Sequence, residues 1–287
     1  MSQTRLERDP LGELPVPADA LWGIQTERAR QNFPISNLRP LPAFVDACIW
    51  IKKAAALTHR ETGRLDTKLA DAIIRAADEV LTGGHRDHFV VDPYQAGAGT
   101  SHNMNCNEVL ANRANELLGA KRGEYKPVHP NDHVNMAQST NDVIPTAIRL
   151  GALALLPALT EALGRLGRAL LGKGQAFDHI VKAGRTHLQD ATPVRLGQEF
   201  TAFGHTVERN GARIVRAADD LRDLGVGGTA VGTGLNAEPE YPALMVKQLR
   251  AMTKPDLRGG QDRVQLMQSM GDATAFSGAL RAYSVAP

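Results

Sequence analysis

Cysteine is nearly absent from this sequence. Its 287 residues hold two, Cys48 and Cys106, too few for a disulfide framework and without the CxxC spacing of a linear metal motif. Aromatic residues are scarce, at 5%. Neither sign of charge dominates: 33 Lys and Arg stand against 31 Asp and Glu, a formal charge of +2. That balance, spread along the whole chain, gives no electrostatic reason to expect nucleic acid or a membrane as partner. The N-terminal MSQTRLERDPLGELP is polar, and no secretory signal is visible in it. The greasiest stretch, centred on Ala152–Leu156, meets Pro157 and reads as too short to cross a bilayer. Sustained period-two alternation of β-branched residues is also missing, which predicts few strands. These absences point to a soluble, cytoplasmic chain.

Helical periodicity is what the chain has instead. Residues 1–45 read as irregular, punctuated by Pro10, Pro15, Pro17, Pro34, Pro40 and Pro42. From Phe44 onward Val45, Ile49, Ile51, Lys52 and Ala56 recur at helical spacing before Gly63. Leu69, Ile73, Ile74, Ala77, Val80 and Leu81 do the same before Gly83–Gly84, and both glycine stops fall where a C-terminal cap belongs. Asn107–Leu118 predicts a short helix. Leu159, Leu163, Leu166 and Leu170 form one long seam, and Phe200, Phe203, Val207, Ile214, Ala218 and Leu221 form another. Tyr241–Met252 and Val264–Val285 are helical again. The predicted fold class is all-α: an irregular helical N-terminal domain over residues 1–138, then the first long helices of a central bundle over residues 139–287. Leucine and alanine faces this long predict association with other subunits.

Three donor-rich segments interrupt the helices. Ala183–Pro193 places Arg185, Thr186, His187 and Gln189 in a loop between two long helices, where functional side chains tend to sit. Ser139–Thr140–Asn141–Asp142 precedes Pro145 and opens a helix, so its side chains add donors to free N–H groups and a positive dipole end. Plain N-capping explains the same residues. Gly97–Asn107 reads as an anion nest: Gly97 and Gly99 permit close approach, while Thr100, Ser101, Asn103, Asn105 and Asn107 supply polar atoms. An Asn-rich turn capping the next helix is the structural alternative. His59, His85, His88, His179 and His205 read as ordinary satisfied polar residues. His129 and His133 bracket Pro130–Asn131–Asp132, which suits either an anion or nothing. No His/Cys/Asp group has convincing zinc or iron spacing. Gly225–Ala230 fits GxGxxA, but it follows a helical run and leads into VGTGLN, which argues against a dinucleotide site.

The segments VPADALWGIQTERARQNFPIS, YQAGAGTSHNMNCNEVLANRA, HPNDHVNMAQSTNDVIPTA, GRTHLQDATPVRLGQEF and GGTAVGTGLNAEPEY occur in that order and cover essentially the whole chain. Together they resemble the aspartase/fumarase superfamily, specifically class II fumarases and aspartate ammonia-lyases. The resemblance implies a mainly helical fold whose homotetramer builds a twenty-helix bundle, with each active site drawn from three subunits. It implies anti elimination from a four-carbon dicarboxylate through an aci-carboxylate, with no metal and no organic cofactor. By the same resemblance Thr100, Ser139 and Thr140 hold the carboxylate that becomes the aci form. Asn141, Thr186 and His187 hold the leaving-group side, with His187 catalytic. His129, Asn131 and Asp132 match a secondary anion site. YQAGAGTSHNMN lies nearer to aspartases than to the WQTGSGTQxNMN of fumarases, whereas LWGIQT and VHPND lean toward fumarase. The expectation is therefore L-aspartate to fumarate and ammonia, with L-malate dehydration as the alternative and a non-catalytic scaffold on the same fold as the second.

One signature of that family, a GSSxMPxKxNP loop carrying the serine base, is absent from the 287 residues, which reach LRAYSVAP at Pro287. The reading expects a truncated or frame-shifted frame. It expects this chain alone to be inactive and poorly assembled, because Ser139 and Thr140 have no activating partner.

Overall fold

In the computed structural model, residues 3–285 are described. The stretch expected to be irregular opens with a hairpin, Thr4–Asp9 (β1) paired antiparallel to Gly12–Pro17 (β2). Prolines are tolerated there because, in a two-stranded ribbon, alternate N–H groups face away from the only partner. A short helix follows, Ile24–Asn32 (α1), and its N-cap Gly23 has no side chain to cap with. Carboxylates from elsewhere take that role. Glu108 accepts from the amides of Gly23 (2.9 Å), Gln25 (3.1 Å) and Thr26 (3.0 Å), and Glu7 accepts from Ile24 (2.8 Å).

Pro42–Glu61 (α2), Thr67–Leu81 (α3) and Thr100–Leu117 (α4) follow. α2 is the central element: Ala47, Cys48, Ile49, Ile51, Lys52, Ala54 and Ala55 are all buried, and it packs on α3, α4 and a later helix, Tyr241–Met252 (α7). The helix predicted from Asn107 begins a full two turns earlier, at Thr100, so the segment read as a nest is itself helical. Asn105 and Asn115 fit within it because their amides bond outward to loops. Asn105 donates to the carbonyl of His88 and accepts from the amide of Val90, both at 2.9 Å. Asn115 bonds both backbone groups of Val128 (2.9 and 2.8 Å).

Thr140–Ala176 (α5) runs 37 residues through both Pro145 and Pro157. Each proline removes one helical bond, but a long Leu- and Ala-rich helix packed on its neighbours absorbs a cost of about 3 kcal/mol. The apolar stretch is therefore longer than the sequence implied, and it contains an 18-residue window with mean hydropathy 1.7. Asp142, Thr146 and Arg149 are buried in its first turns, as in a core helix of a folded domain.

After α5 comes a second hairpin, Val181–Thr186 (β3) with Gln189–Arg195 (β4), then Leu196–Asp219 (α6). Two-residue strands Asp223–Leu224 (β5) and Arg258–Gly259 (β6) pair in parallel on either side of α7. Arg263–Gln268 (α8) and Gly271–Val285 (α9) split what periodicity alone reads as one helix from Val264. The chain forms two compact units. One comprises residues up to Ala152 and Arg222–Met270, and the other Leu153–Leu221 and the residues from Gly271. In the second unit the later part of α5 lies close to α6. A Cβ at Gly204 would stand 2.8 Å from the Leu171 side chain, so glycine sets that approach.

Candidate active site

Two helix N-termini meet in the first unit. Gly99, with φ +81°, caps α4, and a Cβ on it would lie 2.7 Å from Ile144 in the second turn of α5. Only glycine satisfies both the left-handed backbone and the contact. The Gln95 side chain accepts from the amide of His102 (2.9 Å) in the first turn of α4. Thr100 opens that helix and is exposed. Beside these termini lies a cleft of about 560 Å³, lined by Gly97, Ala98, Thr140, Asn141, Ile148, Ala230 and Gln268 among others. The positive end of the α5 dipole and its first amides lie at this cleft.

The three polar side chains at the start of α5 have defined partners. Ser139 caps α5, its Oγ accepting from the amide of Asn141 at 3.2 Å, so the plain capping role is present in the fold. Thr140 Oγ1 accepts from Asn103 Nδ2 at 3.3 Å, which leaves its proton available to donate elsewhere. Asn141 Nδ2 donates to the carbonyl of Ala230 (2.9 Å) and ties the glycine-rich loop to the helix.

Beneath them is a buried network that linear reading did not assemble. Lys52 Nζ donates to Asn135 Oδ1 (2.8 Å) and Gln138 Oε1 (2.9 Å), and Asn135 Oδ1 also accepts from Asn103 Nδ2 (3.2 Å). Burial pulls the Lys52 ammonium down to about 8. Asp142 accepts from the amides of Ser139 (2.9 Å), Gly227 (3.1 Å) and Thr229 (3.2 Å). Burial pushes its carboxyl up to about 6, against the pull of those amides and of Lys52. The GxGxxA-like loop therefore does bind an anion, and the anion is the chain's own Asp142. It follows the two-residue β5 and opens no helix before Tyr241. The signal for Lys52 was present in the sequence, a lysine on the apolar stripe of α2.

His129, Asn131 and Asp132 share one turn. His129 Nδ1 accepts from the amides of Asn131 (3.3 Å) and Asp132 (3.2 Å), so the donors an outside anion would seek are directed at the imidazole. His59 bonds the carbonyl of Met136 (3.0 Å), His85 pairs with Glu79 (2.8 Å), and His88 accepts from the amide of Leu21 (3.2 Å). Of these three, His85 and His88 are satisfied as expected, while His59 bonds through Nε2 and leaves its buried Nδ1 without a partner.

Thr186 and His187 belong to the other unit. Their segment is not a loop between helices but the tip of the β3–β4 hairpin, with a register shift at Gly184/Arg185. His187 (φ +48°) and Leu188 (φ +63°) form its two-residue turn, the geometry that matches strand twist and normally selects Asn-Gly. Both side chains are exposed. Arg185 pairs with Asp190 at 2.9 Å. The first unit thus gathers Thr140 and Asn141 at the cleft, with Ser139 and Thr100 at the adjoining helix termini, and the second presents Thr186 and His187.

A family model described as Lyase matches residues 12–286. The chain belongs to this lyase family. An aspartate ammonia-lyase of Bacillus sp. is 45% identical over 280 residues, covering 98% of this chain and 60% of the relative. A class II fumarate hydratase of Halobacterium salinarum is 56% identical over 239 residues, covering 83% of this chain and 51% of the relative. Among solved structures, the fumarate lyase/delta crystallin protein of Brucella melitensis, solved with cobalt, superposes with a TM-score of 0.96. It is 44% identical, and the match covers 99% of this chain and 62% of that one. The resemblance read from the motifs and the helical fold class are both borne out. The chain spans about 60% of the length of the aspartate ammonia-lyase it matches.

Proposed function

We propose that these residues form the larger part of a lyase that eliminates ammonia from L-aspartate to give fumarate, through an aci-carboxylate. The observation that carries this reading is the hydrogen bond from Asn103 to Thr140 Oγ1 at the N-terminus of α5. It orients a hydroxyl so that its proton remains for a carboxylate in the cleft, next to helix amides that need no cation. Charge accumulating on that carboxylate as the β-proton leaves is stabilised by such preorganised donors, each worth roughly 3–4 kcal/mol. Ser139 and Thr100 supply further donors, while Thr186, His187 and Asn141 serve the leaving-group side. His129, Asn131 and Asp132 serve as a secondary anion site in which the anion takes the two amides that His129 Nδ1 otherwise accepts from. Within the same reading the protein works in the cytoplasm as a homotetramer, on a small dicarboxylate and without a cofactor.

Malate dehydration is the second reading, favoured by the 56% identity to a fumarate hydratase. The test extends the 287 residues with the part of the Bacillus relative that lies beyond the match. Fumarate formation is then followed by its ultraviolet absorbance with L-aspartate and with L-malate. Turnover of aspartate is expected. Turnover of malate alone would replace the first reading with the second, and turnover of neither would remove both.

A further inference from the structure

Cys48 on α2 and His102 and Cys106 on α4 are far apart in sequence, and no linear spacing marks them. The fold brings both sulfurs and an imidazole nitrogen within 4.8 Å of one another. All three residues are buried, at 0%, 1% and 0% exposure. His102 and Cys106 lie one helical turn apart, so they share a face of α4. Cys106 Sγ and His102 Nε2 are 3.7 Å apart, long for a hydrogen bond that would hold an imidazole in place. It matches the separation of two ligands on one ion: metal–sulfur bonds of about 2.3 Å and metal–nitrogen bonds of about 2.0 Å set ligand pairs roughly 3.5–3.8 Å apart. Among the described residues nothing else fixes the ring by hydrogen bonding. Its Nδ1 is buried without a partner, and the Phe44 ring packs against it, tilted, with centroids 4.8 Å apart.

We propose that Cys48, His102 and Cys106 form a binding site for one thiophilic d10 cation, Zn²⁺ or Cu⁺, that ties α2 to α4. Two thiolates and an imidazole are the donor set such ions select, whereas Mg²⁺ and Ca²⁺ require oxygen. Binding releases the two thiol protons to solvent and leaves both sulfurs anionic. With Zn²⁺ the site is neutral, and a non-protein fourth ligand completes the tetrahedron. With Cu⁺ three ligands suffice, and the single net negative charge faces the buried Lys52, whose ammonium feels both thiols. The ion would brace the two helices that carry Lys52, Asn103 and Thr100, but it lies outside the cleft and takes no part in the elimination.

The test uses the reduced, untagged 287-residue chain, stripped of metal and equilibrated slowly because the ligands are buried. Zn²⁺ is titrated against a chromophoric chelator, and Cu⁺ against a Cu⁺-specific chelator in an anaerobic arm. Uptake of one equivalent per chain is expected in at least one arm, and the arm identifies the ion. Thiolate-to-metal charge-transfer absorption is expected on the unaltered chain, read with Co²⁺ as the optical stand-in for zinc and directly with Cu⁺. In Cys48→Ala and Cys106→Val, chosen to keep apolar packing and checked by circular dichroism, stoichiometry falls from one to none. Absence of uptake in both arms overturns the proposal, even after refolding with the ion present. So does uptake without thiolate absorption, or uptake retained in the folded variants.

Discussion

The asparagine-rich face of α4 and the β3–β4 hairpin are both dense in donors, and the fold treats them in opposite ways. Asn103, Asn105, Asn107, Asn112 and Asn115 are buried, and the amides of Asn105, Asn112 and Asn115 bond the backbone of other segments. The hairpin is held by its own ladder, by Arg185–Asp190 and by Lys182–Glu199. Polar density alone therefore does not distinguish a scaffold from a presenting element. The destination of the hydrogen bonds does. Groups that satisfy distant backbone are part of the core, while groups on a self-contained, exposed turn remain available to something else.

The comparison breaks most severely at Glu108, on α4. Glu108→Ala strips three amides at the α1 N-terminus of their acceptor and should destabilise the chain on the order of 4 kcal/mol, read by urea unfolding. A loss under about 1 kcal/mol would show that water caps α1 equally well.

The opposite pattern is expected at the hairpin tip. His187→Ala should lower turnover of the extended protein roughly a hundred- to a thousand-fold, while the stability of the 287-residue chain moves by less than about 0.5 kcal/mol. Parallel losses in both measurements would make His187 structural.

The buried network sharpens the contrast through pH. Asp142 has its carboxyl raised to about 6 from 3.8, so between those values the folded chain holds the extra proton. Its contribution to stability is complete below about pH 4 and is lost as pH rises through 6, by at most about 3 kcal/mol. Lys52, lowered to about 8, acts in the other sense: folding gains as pH rises from 8 toward 10.5. Tyr241 also faces Asp142, and burial holds its phenol neutral throughout this range. Comparing Asp142→Asn with the parent by denaturation from pH 4 to 7 should flatten the slope. An identical slope would assign it to other groups.

The smallest effect is stabilising. Leu188 is 91% exposed and sits at φ +63°, so Leu188→Gly should relieve about 1 kcal/mol of left-handed strain. Slower amide exchange in the hairpin is the readout, and unchanged or faster exchange would mean the turn is not strained.

Much of this was legible in the residues because helical periodicity is local. α7 starts and ends where Tyr241–Met252 was read, and α2, α3 and α6 lie where their apolar seams place them. The motifs also identified the family without any tertiary information. The errors arose where the deciding partner was distant. α1 was missed because its cap is a carboxylate on α4. The hairpin was missed because its turn residues, His187–Leu188, carry none of the usual turn chemistry.

Seams, glycine stops and motif order thus belong to the sequence by itself, since each depends on residues a few positions apart. The pairing of Lys52 with the amides of Asn135 and Gln138, the capture of Asp142 by the glycine-rich loop and the meeting of Cys48 with His102 and Cys106 belong to the tertiary structure. Burial in a low-dielectric interior is what makes such groups seek partners, and only the packing of whole helices determines which groups are buried together.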